Sequence, residues 1–86
     1  MNALQRQIIL ALLNALAERD GGVMAESLLH GAVLETVPCT LSDFELALRY
    51  AEADPRRWIL GLRGKLDLMK WAITDSGEAA RRELRP

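Results

Sequence analysis

The sequence predicts an α+β protein, mainly helical, in which three helices are followed by a two-stranded β-hairpin and a closing helix. Three observations predict it. Apolar residues recur at helical spacing from Leu4 to Ala51. Two apolar runs, Trp58–Leu62 and Leu66–Ile73, then flank Arg63-Gly64-Lys65 in the manner of strands around a turn. Finally, Ile73-Thr74-Asp75-Ser76-Gly77 leads into Glu78-Ala79-Ala80-Arg81-Arg82-Glu83-Leu84, a run of good helix formers. The chain has 86 residues, half of them apolar. That fits one domain with one small core and leaves no space beneath it for a large cavity.

The elements follow in order. Residues 3–19 form a helix because Leu4, Ile8, Leu12 and Leu16 repeat at four-residue spacing, with Ile9 and Leu13 widening the stripe. Leu10 falls among Arg6, Gln7, Asn14 and Glu18, on the polar side, where a monomer has no need of it. Asp20-Gly21-Gly22 stops this helix, since glycine relieves left-handed strain after a last turn. Residues 23–35 read as a second helix with Val23, Met24, Leu28, Leu29, Ala32 and Val33 on its apolar face. Gly31 inside it costs about 1 kcal/mol relative to alanine, and close approach of a neighbouring helix would account for it. Pro38 makes residues 36–40 a turn. A third helix runs to about Ala53 with Leu41, Phe44, Ala47, Leu48 and Ala51 as its buried stripe. Its N-terminal box has two competing registers, Ser42 with Glu45 and Thr40 with Asp43. Asp54-Pro55 ends it. The hairpin follows, with a basic tip at Arg63-Gly64-Lys65, and then the last helix, capped by Thr74 or Asp75.

Charge is unevenly spread. The net formal charge is −1, which is not the footprint of an avid, sequence-blind nucleic-acid binder. Residues 1–54 hold three arginines against eight carboxylates, and residues 55–86 hold eight cations against four carboxylates, so the halves carry −5 and +4. A polyanion would meet the second half first, and so would the acidic half of another copy.

Several function classes are disfavoured. Cys39 stands alone, so no intrachain disulfide forms and a small buried or turn residue is expected. His30 has no second ligand in register, so no metal site is expected. Gly61-Leu62-Arg63-Gly64-Lys65 lacks the spacing of a phosphate-binding loop and is followed by Leu66. Asp43 and Glu45, two apart on a helix, point in different directions. No enzyme activity and no cofactor are expected. The run Ile8–Leu13 is too short to span a bilayer, and the N-terminus lacks a signal-peptide pattern, so a cytoplasmic protein without membrane contact is expected.

Three stretches carry a resemblance: Ser42-Asp43-Phe44-Glu45-Leu46-Ala47-Leu48-Arg49-Tyr50-Ala51-Glu52, the strand from Trp58, and Trp71-Ala72-Ile73-Thr74-Asp75-Ser76-Gly77-Glu78-Ala79-Ala80. The chain resembles prokaryotic winged-helix-turn-helix regulators, broadly the MarR, PadR and ArsR-like group. The resemblance implies a winged helix, with the third helix in the recognition position and the hairpin as wing. It implies a small prokaryotic or phage-type transcriptional regulator that binds DNA; a homodimer is expected separately, from the breadth of apolar surface on helix one, Leu10 included, and the shortness of the chain. Contacts carried over by position are Thr40, Ser42 and Arg49 on the helix, Arg63 and Lys65 on the wing, and Arg56 and Arg57 flanking the sheet. Arginine and lysine there would neutralise phosphates, and arginine also reads guanine in the major groove.

A second expectation stands beside it. Asp43, Glu45 and Glu52 share the third helix with a single cation, Arg49, and carboxylates repel phosphate. The near-neutral total and the displaced Leu10 point the same way, to a winged-helix module that binds no DNA. It would contact a second copy, through helix one, or another protein chain. Arg81, Arg82 and Arg85 complement a helix C-terminus. Trp58 and Trp71 are expected to pack from the sheet onto the helices, and Tyr50 is read either as core edge or as an exposed contact.

Overall fold

The computed structural model describes residues 1–85. Its helices are α1 (Ala3–Glu18), α2 (Glu26–Leu34), α3 (Leu41–Glu52) and α4 (Asp75–Leu84), and its strands are β1 (Val23–Ala25), β2 (Ile59–Arg63) and β3 (Met69–Ile73). The architecture is α+β and mainly helical. The strands form one antiparallel sheet in the order β1-β3-β2, so the last strand in sequence is the central one.

α1 is the organising element. Asn2 caps it by accepting the Gln5 N–H at 2.7 Å. Its stripe of Ile8, Ile9, Leu12, Leu13 and Leu16 is fully buried. The helix packs on α2, α3, α4 and β3 at once. α3 contributes Phe44, Ala47, Leu48 and Ala51, and the sheet contributes Met24, Ile59 and Trp71. α4 closes the fold against α1: Arg81 Nε donates to Asn14 Oδ1 at 2.7 Å, and Arg6 Nη2 donates to the Leu84 carbonyl at 3.2 Å. Leu10 is half-buried and shares a groove with Leu84. Part of the apolar breadth of α1 is therefore taken up within the chain.

Four features depart from the sequence expectation. First, residues 23–25 are not helical. Gly21 and Gly22, at φ +81° and +66°, reverse the chain and lay Val23-Met24-Ala25 beside β3, with Met24 opposite Trp71. The two-stranded hairpin thus becomes a three-stranded sheet, and α2 begins only at Glu26. Second, the hairpin tip lies further along than Arg63-Gly64-Lys65. Arg63 is the last residue of β2, and Lys65–Asp67 form the turn, with Leu66 and Asp67 left-handed at φ +60° and +58°. Third, Leu4, Leu28 and Leu41, expected on buried stripes, are exposed; Leu28 and Leu41 are 56% and 54% accessible. Fourth, no neighbouring helix approaches Gly31, since a Cβ built there meets nothing within 4 Å. Gly31→Ala is therefore expected to stabilise the protein by about 1 kcal/mol, removing the backbone-entropy cost of glycine in a helix. A rise in the thermal midpoint checks it.

Two junctions fix the supports of the hairpin. At the start of α3 the Thr40–Asp43 register wins: Thr40 Oγ1 accepts the Asp43 N–H at 3.0 Å while Asp43 Oδ2 accepts the Thr40 N–H at 3.1 Å. At the start of α4 the cap is Thr74, whose Oγ1 accepts the Gly77 N–H at 3.0 Å. The same hydroxyl donates to the Arg57 carbonyl at 2.6 Å, tying α4 to the entrance of β2.

Candidate functional site

α3 holds three of the expected contact residues. Thr40 is spent on the cap, where its hydroxyl oxygen satisfies a helix N–H. Ser42 and Arg49 are exposed on one outward face. That face also carries Glu45, Leu46 and Glu52, all exposed, with Leu41 at its beginning. Leu46 is 55% accessible and Leu41 54%. Arg49 is the one cation among the described residues of this helix, so the face alternates leucine and carboxylate around a single guanidinium.

The connection from α3 to β2 holds Arg56 and Arg57, and each guanidinium has a partner. Arg56 Nε donates to the Tyr50 carbonyl at 2.7 Å, and its guanidinium lies 3.6 Å from the Tyr50 ring centroid. Tyr50 in turn meets Trp58 edge-on at 6.0 Å. This stack is half-buried, so Arg56 serves as a lid on the rings. Tyr50 is thus core edge. Arg57 is left-handed at φ +45° and pairs with Asp54. The hydrogen bond from Arg57, and then its charge, hold the Asp54 carboxyl below the usual carboxylate range, and the same bond, and then the Asp54 charge, push the guanidinium up.

The hairpin tip has the last two candidates. Arg63 Nη1 reaches Asp67 Oδ1 at 3.4 Å, with both side chains well exposed. Lys65 is exposed and forms no ion pair among the described residues. Just beyond Lys65 the most prominent side chains are apolar: Leu66 is 92% accessible and Leu68 64%. Of the seven sequence candidates, Thr40, Arg56 and Arg57 are engaged within the chain, Arg63 is loosely held, and Arg49, Lys65 and Ser42 have no side-chain partner among the described residues.

Beneath α3 lies a pocket of about 300 Å³ lined by Glu26, Glu45, Leu48, Arg49, Glu52 and Trp71. Trp71 is buried and its Nε1–H donates to Glu26 Oε1 at 2.9 Å. Gly61 makes room for this corner, since a Cβ there would lie 3.1 Å from Glu52 Oε2 and 3.2 Å from the Trp71 ring. With three carboxylates and one guanidinium in its lining, the pocket is acidic. Sequence reasoning did not find it, because Glu26 had been placed inside a longer helix. The engaged arginines had a signal that was missed: Asp54 and Arg57 are three apart, and Arg63 and Asp67 four apart.

Two other singled-out residues are structural. His30 stacks on Phe44 with ring centroids 4.6 Å apart, and its Nε2 is buried without a hydrogen-bond partner. Cys39 is half-buried against the core, and burial, with the Asp43 charge adding to it, pushes its thiol up, away from a reactive thiolate. Among the described residues, no three His, Cys, Asp or Glu side chains gather as metal ligands. No helix among them is long and apolar enough to cross a membrane. Compared with known proteins, the chain matches no family model, no curated protein and no solved structure.

Proposed function

We propose that this chain is a winged-helix-like module for protein association, in which the outward face of α3 docks on another protein chain. The order α1, β1, α2, α3, β2, hairpin turn, β3, α4, with β1 beside β3, is compatible with the winged-helix layout that the sequence resembles. The observation that carries the functional reading is the composition of α3 in its recognition position. Leu41 and Leu46 offer apolar area that a phosphate backbone cannot use, and Glu45 and Glu52 repel phosphate. The partner it fits has an apolar centre with a basic rim.

The second reading is a small prokaryotic or phage-type transcriptional regulator that binds DNA through the wing. It is favoured by exposed Lys65 and Lys70, by Arg63, whose ion pair is long, and by Arg49. Binding to mixed-sequence duplex across salt separates the two. Phosphate contacts give a slope of log K on log salt of about −0.9 each. The association reading expects little or no binding at low salt. A steep slope that flattens in the Arg63→Ala, Lys65→Ala double variant would overturn it in favour of DNA.

A further inference from the structure

We draw no further inference here: the strongest candidate, the face of the sheet turned away from the helices, where Leu60 and Leu62 are exposed with Lys70 standing among them, is an unpartnered apolar face, and nothing in the structure shows what covers it.

Discussion

Gly77→Ala is expected to destabilise the protein by about 3 kcal/mol, the top of the usual range for overpacking. The reason lies in what surrounds the missing side chain. A Cβ on Gly77 would fall on the Trp58 carbonyl oxygen and lie 2.8 Å from Ile73 Cγ1. The carbonyl cannot swing aside freely. It accepts the Thr74 N–H at 3.1 Å, and the Thr74 hydroxyl lies equally close to it. The added methyl must push α4 away from the entrance of β2 and strain the Thr74 cap with it. In a domain of this size each kcal/mol moves the midpoint by about 4–8 °C, so a fall of roughly 12–24 °C is the expected reading in a thermal melt. Gly31→Ala, with open space around it, is the matched control and moves the midpoint the other way. An unchanged midpoint for Gly77→Ala would mean that α4 does not seat on β2 as described.

Phe44→Ala is expected to cost about 3–5 kcal/mol. Phe44 has no accessible surface and sits where α3 meets the central helix, with the His30 ring stacked on it. Removing the ring leaves a cavity bounded by α1, which already packs on four other elements and cannot collapse inward. Total stability for a chain of this length is on the order of 4–13 kcal/mol, so the variant is expected to be partly unfolded at physiological temperature. Urea unfolding would show a lower midpoint with an unchanged slope. Phe44→Leu keeps most of the volume and is expected to lose much less.

The parts of the fold legible in the sequence were those specified locally. α1 and α3 were legible because their stripes repeat over several turns and their ends carry capping residues. α4 was legible because Thr74 lies three residues before Gly77. β1 was not, because three residues carry no period, and Val23 and Met24 continue the apolar pattern of α2 well enough to be absorbed into it. What makes them a strand is β3, nearly fifty residues away (Val23 opposite Ala72). The tip was misplaced because glycine was taken as the turn residue. Gly64 is extended at φ −91°, and Leu66 and Asp67 make the turn instead.

The candidate site was legible as a set of positions and not as a surface. The sequence supplied the cations. The carbonyl, ring and carboxylate that engage Arg56 and Arg57 are a matter of the loop conformation after α3. The outward leucines of the sheet were hidden in a different way. A strand such as Ile59-Leu60-Gly61-Leu62 is apolar on both faces, so its composition alone does not say which leucines the core will take.

The placement of β3 between β1 and β2 has a consequence for the order of events during synthesis. Both edge strands leave the ribosome before the strand that joins them. Until Met69–Ile73 emerges, β1 and β2 have no partner, and Met24 and Ile59 have no Trp71 to pack against. Contacts as far apart in sequence as Val23 and Ala72 carry a large loop-closure cost and tend to form late. The helices have local means to begin earlier. So does the β2–β3 hairpin, whose strands are joined by a short turn, and the docking of β1 on β3 is the step that waits for the far end of the chain.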